Sequence, residues 1–209
     1  IAISIETGYL NKIKDNLSDI GGISKLNYLD GLAPQDNGNR WVTWDRLSGA
    51  IIVNNEVLKK HGLEAPKTYE DLLKPEYKNL IAMPDPKSSG TGYCFYKSWV
   101  NLWGEQGALD YVDKLQKNIK QFTESGSGPI KMLIQGEIAI GLGMTHTAVN
   151  EINKGMDFSV IFPPEGSPYS IEGAVVIDGK RDKKGVDEVF DFIANELILE
   201  DFNSFSPAQ

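Results

Sequence analysis

The chain has 209 residues, 41% of them apolar and 24% charged, which is the composition of a folded protein large enough to bury a core as one domain or two small lobes. With 21 basic against 29 acidic residues the net charge is −8, which argues against a nucleic-acid groove or an anionic membrane surface as partner. No stretch reaches the ~18 apolar residues of a spanning helix, Ile1 does not open a signal peptide, and the single cysteine, Cys94, excludes an internal disulfide.

In chain order, residues 1–20 (IAISIETGYLNKIKDNLSDI) read as helix, and residues 21–40 as a polar, turn-rich stretch ending in APQDNGNR. WVTWDRLSGAIIVNN reads as extended, with a β-branched run at Ile51–Val53. EVLKKHG is a short helix stopped by Gly62. In EAPKTYEDLL, Thr68 and Asp71 form a capping box. LIAMP is a strand, followed by helices over about 91–103 and 107–119, the second with Ala108, Val112, Leu115 and Ile119 on one stripe. A strand near IKQFT leads through ESGSGP to a helix opened by Pro129. EIAIGLG and THTAVNEINK are strand and helix, closed by Gly155; FSVIF and SIEGAVVI are strands. The last helix covers about 183–197, with Val186, Val189, Phe190 and Ile193 on one face. Strands alternating with helices predict an α/β fold with a largely parallel sheet.

Three strand-to-helix junctions are rich in hydroxyl groups and glycine: PKSSGTG (86–92), ESGSGP (124–129) and GLGMTHT (141–147). Helix N-termini there present unpaired N–H groups and a favourable dipole to an anion, and glycine admits a ligand close to the backbone. Ser88, Ser89, Gly90, Thr91, Ser125, Gly126, Ser127, Thr145 and His146 are therefore the candidate ligand-binding residues. The competing reading makes Ser89, Ser127 and Thr145 plain helix caps. Enzyme templates fit poorly: there is no phosphate-loop GxxxxGK[ST], no G-x-S-x-G elbow and no HExxH, and GLGMTH lacks the third glycine of the dinucleotide fingerprint. With His61 and His146 the only histidines, a zinc site lacks ligands, and neither a catalytic residue nor a cofactor is indicated.

PEYKNLIAMPDPKSSGTGY, SGSGP, QGEIAIGLGMTHTA and FPPEGSPY, in that order, resemble the pattern of family 1 extracellular solute-binding proteins. These are the ligand-capturing components of ABC importers, in the branch with ferric-ion, phosphonate, sugar-phosphate, polyamine and thiamine binders. The likeness runs from about Trp41 to Phe205. It implies a type 2 periplasmic-binding fold of two lobes with a hinge, arranged as residues 1–79 (partial N-terminal lobe and first crossing), 80–165 (C-terminal lobe) and 166–209 (return crossing and remainder of the N-terminal lobe). Family members are longer, so the strands that open the N-terminal lobe are expected ahead of Ile1. The resemblance further implies a small-molecule ligand held between the lobes, a membrane permease as partner, and an extracytoplasmic location, in the periplasm or as a surface lipoprotein. It adds Trp44 and Asp45 to the ligand-binding residues, with core packing and a surface ion pair as their respective alternatives. Ferric-ion binders of the branch carry adjacent tyrosines after the GE(I/V)A strand; here Met144-Thr145-His146-Thr147 stands in that place, which disfavours tyrosinate iron binding. The expected ligand is a small anion such as a phosphonate or phosphate ester. A cationic ligand (polyamine or thiamine), for which Asp45, Asp85, Glu165 and Glu172 are available, a ferric ion, and a hydrolase using His146 with a serine are the alternatives.

Overall fold

Fourteen residues, Trp41–Asn54, form the longest strand, β2. It carries the chain from one unit (Ile1–Leu47 with Ser170–Gln209) into a second (Ser48–Tyr169). The computed structural model describes residues 1–21 and 38–200; most of the turn-rich stretch at 21–40, and the chain beyond 200, lie outside the described residues.

The first unit opens on a strand, β1 (Ala2–Glu6), not on a helix. Ile1, Ile3 and Ile5 alternate at period two, and β-branched side chains favour a pleated strand over a helix. The helix α1 (Thr7–Lys12) begins only afterwards. The Glu6 carboxylate caps it, accepting from the Gly8 and Tyr9 N–H groups at 3.0 Å each. β1 pairs antiparallel with β7 (Tyr169–Val175), which lies beside β2. Over these strands packs α6 (Val186–Phe192), continued as a π-helical turn over Ile193–Leu197. Val186, Phe190 and Ile193 join the cluster of Ile20, Val42, Ala174 and Val176. Val189, expected on the same face, is 51% exposed, because the inward stripe follows i, i+4, i+7.

In the second unit, β3 (Ile81–Pro84) lies between β4 (Ile119–Thr123) and β5 (Ile140–Met144), parallel to both. β2 pairs antiparallel with β5 on one side and with β6 (Phe158–Ile161) on the other. Four strands of the unit thus share one direction and β2 alone is reversed. Sequence alternation predicts parallel pairing only where a helix crosses over between neighbours, as it does from β3 to β4 and on to β5. The α/β class holds, with a mixed sheet in place of a largely parallel one.

Helices cover both faces of this sheet. Ile51, Val53, Ile81, Met83 and Leu142 point toward α3 (Gly90–Leu115), and Ile52 and Ala82 toward α4 (Gly128–Ile134) and α5 (Thr145–Asn153). The two helices expected at 91–103 and 107–119 are one element broken at Gly104, whose φ of 73° departs from helical geometry. Its second part stops at Leu115, since Ile119 already belongs to β4. Helix α2 (Asn55–His61) ends as expected at Gly62, left-handed at φ 66°.

The capping box at Thr68–Asp71 opens a 3₁₀ turn, Glu70–Leu73. Asp71 Oδ2 accepts from the Lys67 and Thr68 N–H groups at 2.8 and 3.2 Å, while the Asp71 N–H donates to Thr68 Oγ1 at 3.0 Å. Its other oxygen meets Lys74 Nζ at 2.7 Å. The Lys74 ammonium and these N–H donors pull the Asp71 carboxyl down to about 2. A folded-state value below the unfolded one of about 3.9 stabilises the fold above pH 4, and this contribution is lost as pH falls through about 2. Asp71→Ala should cost about 1 kcal/mol at pH 7, and the difference from wild type should shrink at pH 3 and below, as checked by urea unfolding at each pH.

Candidate ligand-binding site

Two of the three predicted junctions meet at the carboxyl ends of β3 and β4. The strand ends are tied by the Asp85 N–H donating to the Thr123 carbonyl at 2.8 Å. Beyond β3 the chain turns on Asp85, whose carbonyl accepts from the Ser88 and Ser89 N–H groups at 3.2 and 2.9 Å, and whose carboxylate accepts from the Lys87 N–H at 2.8 Å. Helix α3 then starts so close over β3 that a Cβ on Gly92 would stand 2.4 Å from the Pro84 carbonyl oxygen. Only glycine fits there.

The second junction packs onto the first. Ser88 Oγ donates to the Glu124 carbonyl at 3.1 Å, and a Cβ on Gly126 would lie 2.4 Å from Thr91 Oγ1 and 3.6 Å from Ser89 Oγ. Thr123 Oγ1 donates to the Ser125 carbonyl at 2.9 Å, and the Ser125 and Ser127 hydroxyls are 3.4 Å apart. Ser88, Ser89, Gly90, Thr91, Ser125, Gly126 and Ser127 therefore form one cluster of neutral hydroxyls and small backbone at one edge of the sheet. The Gly90 and Thr91 N–H groups belong to the first turn of α3, whose amides have no partner within the helix.

Ser89 is also a cap. Its Oγ accepts from the Gly92 N–H at 3.4 Å, and the residue is 7% exposed. Accepting through the oxygen leaves its O–H proton able to donate elsewhere. Ser127 precedes α4 but makes no cap hydrogen bond with its side chain, so capping does not explain it. Thr145 and His146 reach the same sheet edge through topology, since β5 runs parallel to β3 and ends at Met144. Thr145 is buried and opens α5, whose cap position belongs to Met144; Thr147 Oγ1 donates back to the Met144 carbonyl at 2.7 Å. Trp44 and Asp45 belong to the first unit, where Trp44 packs on the cluster of Val42, Phe190 and Ile193. Cys94, in the first turns of α3, is half-buried. Among the described residues no group of three or more His, Cys, Asp or Glu is placed to hold a metal ion, and no helix is long and apolar enough to cross a membrane.

Residues 4–208 match the family described as bacterial extracellular solute-binding protein. The chain belongs to this family. Among solved structures it is similar to the periplasmic binding protein AfuA from Actinobacillus pleuropneumoniae, solved with exogenous fructose-6-phosphate bound. The identity is 28%, the TM-score 0.78, and the match covers 99% of this chain and 66% of that one. An uncharacterized protein of Haemophilus influenzae is 37% identical over 130 residues, which are 62% of this chain and 38% of its length. The spermidine/putrescine-binding periplasmic protein of Salmonella typhimurium is 23% identical over 152 residues, 69% of this chain and 41% of its own. The chain thus spans about two fifths of the length of the curated relatives it matches. Its fold is the α/β, type 2 periplasmic-binding-protein fold of this family, and the family and its solved neighbours are binding proteins.

What the sequence did not mark is the interlock between the two serine-rich loops. Gly126 was legible as a permissive residue, but its contact with Thr91 depends on the register of β3 against β4. Gly126→Ala should therefore cost about 1–3 kcal/mol through overpacking against Thr91. Removing the Thr91 hydroxyl and methyl in Thr91→Ala/Gly126→Ala should recover part of that cost, a coupling that a double-mutant cycle of urea unfolding would read.

Proposed function

We propose that this chain is the ligand-capturing part of an ABC import system that works outside the cytoplasm, delivering a small anionic solute, a phosphate ester or phosphonate, to a membrane permease. The observation that carries the reading is the interlock of Thr91 and Ser89 with Gly126 and of Ser88 with Glu124, beside Ser125 and Ser127. Apart from Ser88, whose proton goes to the Glu124 carbonyl, these hydroxyls and the first-turn amides of α3 offer hydrogen-bond donors without adding countercharge, which suits an oxyanion whose several oxygens each need a donor. Likeness to a binding protein solved with fructose-6-phosphate supports a phosphorylated sugar over an inorganic anion. In this reading Thr145 and His146 add donors from the start of α5, and Trp44 and Asp45 are further ligand-binding residues.

A cationic ligand is the second reading, supported by the more distant likeness to the spermidine/putrescine-binding protein. The serine cluster offers it donors where a polyamine needs carboxylate and carbonyl acceptors.

Calorimetry on the full-length protein separates the two, with fructose 6-phosphate and spermidine as probes. Fructose 6-phosphate is expected to bind, and Ser127→Ala should weaken it by roughly 1.5–3 kcal/mol, about ten- to a hundred-fold, without lowering the melting temperature. Ser89→Ala should lose both affinity and about 1 kcal/mol of stability, because it also removes a cap. Spermidine binding that ignores both substitutions would overturn the anion reading. A coloured complex persisting after desalting from ferric citrate would restore the iron alternative.

A further inference from the structure

The last residue of β4, Thr123, is buried beside the serine cluster and is held at three points. Its carbonyl accepts from the Asp85 N–H at 2.8 Å. Its side chain lies so close under the start of α4 that a Cβ on Gly128 would stand 2.3 Å from the Thr123 Cβ. Its hydroxyl donates to the Ser125 carbonyl at 2.9 Å, and the same carbonyl accepts from the Gly128 N–H at 3.1 Å. With Ser127 at φ −88° and ψ −2°, that second bond closes a type I turn over residues 125–128.

A trans peptide points its C=O and N–H in opposite directions, and the described peptides are all trans. Holding the Ser125 carbonyl toward Thr123 and Gly128 therefore sends the Gly126 N–H the other way, out of the turn. Backbone preference alone does not fix that choice. Reversing the Ser125–Gly126 peptide would carry Gly126 to positive φ, a region it does not occupy here but that glycine adopts at little cost. The reversed peptide would present a carbonyl oxygen where the N–H now points. The difference is one of sign: an N–H attracts an oxyanion, whereas a carbonyl repels it and attracts an ammonium group. A threonine suits this task, because its β-branch makes χ1 stiff and keeps the hydroxyl aimed.

We infer that Thr123 is a positioning residue of the anion site, whose hydroxyl locks the Ser125–Gly126 peptide with its N–H turned out to the ligand and so favours an oxyanion over a cation. The identity of the ligand rests on the anion reading proposed above; the orientation of the peptide stands apart from it. In this role the hydroxyl adds little to stability. Without it the Ser125 carbonyl keeps the Gly128 N–H, so no acceptor is left empty. A hydroxyl that only stapled the turn would show the opposite pattern, with stability lost and affinity kept.

Thr123→Val keeps the shape of the side chain and removes the donor, and Thr123→Ser keeps the donor. Calorimetry on the full-length protein should show fructose 6-phosphate binding weakened about three- to tenfold in Thr123→Val and within about twofold of wild type in Thr123→Ser, at like melting temperatures. Unchanged affinity in Thr123→Val, or a loss that Thr123→Ser shares, would overturn the inference. Crystal structures of the unliganded wild type and Thr123→Val give a readout that needs no ligand. The Ser125–Gly126 peptide should be reversed, or split between two orientations, in the variant; a peptide that stays as in wild type would equally overturn the inference. A wild type that binds no fructose 6-phosphate, with the peptide reversed in the variant, would sink the anion reading and leave the positioning role of Thr123 standing.

Discussion

The closeness of helix α3 to the end of strand β3 is the constraint on which the candidate site rests. With the Pro84 carbonyl 2.4 Å from where a Cβ on Gly92 would stand, only glycine lets the helix start this close to the strand. The first turn of α3, with the Ser89 and Thr91 side chains, therefore sits directly over the end of β3. The neighbouring junction follows the same rule: a Cβ on Gly128 would meet the Thr123 side chain at 2.3 Å, so α4 begins equally tightly over β4. Two helix starts pinned to two adjacent parallel strands leave their loops nowhere to go but against each other. Glycine here works by allowing contact, and the hydroxyls are fixed as a result.

A cluster fixed in this way is suited to binding more than to chemistry. Its groups are neutral donors and acceptors, each already oriented by a backbone bond or by packing, such as Ser88 on Glu124 and Thr123 on Ser125. Preorganised donors lower the entropy cost of capturing a ligand, because little side-chain freedom remains to be lost.

Local chemistry was legible in the sequence where it needs no distant partner. The capping box at Thr68–Asp71, the left-handed stop at Gly62, Pro129 at the start of α4 and the three serine- or threonine-rich junctions are all properties of a few consecutive residues. β1 is hard to tell from the helix that follows it: IAISI alternates strictly, but α1 starts directly at Thr7 with no turn residue between them. The reversed strand β2 was beyond local reading altogether, since direction in a sheet is set by which strands become neighbours and leaves no mark on the residues themselves. The same limit applied to the site. Ser89 and Ser127 could be singled out as residue types, but that one caps its helix and the other does not is a matter of backbone angles. Glu165 was legible only as an acidic residue, and its place against Tyr69, far back in the chain, comes from tertiary structure alone.

The first unit is assembled from two pieces of chain with the whole of Ser48–Tyr169 inserted between them. Its outer strand pair joins Ala2 to Val175, a contact so distant in sequence that closing it from an unfolded chain adds an entropic penalty and slows folding. The second unit removes most of that penalty when it folds first, because its entry and exit are fastened together by the Gly49 N–H donating to the Pro168 carbonyl at 2.8 Å. Once that clasp forms, the intervening residues no longer count as a loop, and β7 emerges beside β2. On the ribosome the first unit can complete only once the chain past Ser170 has been made.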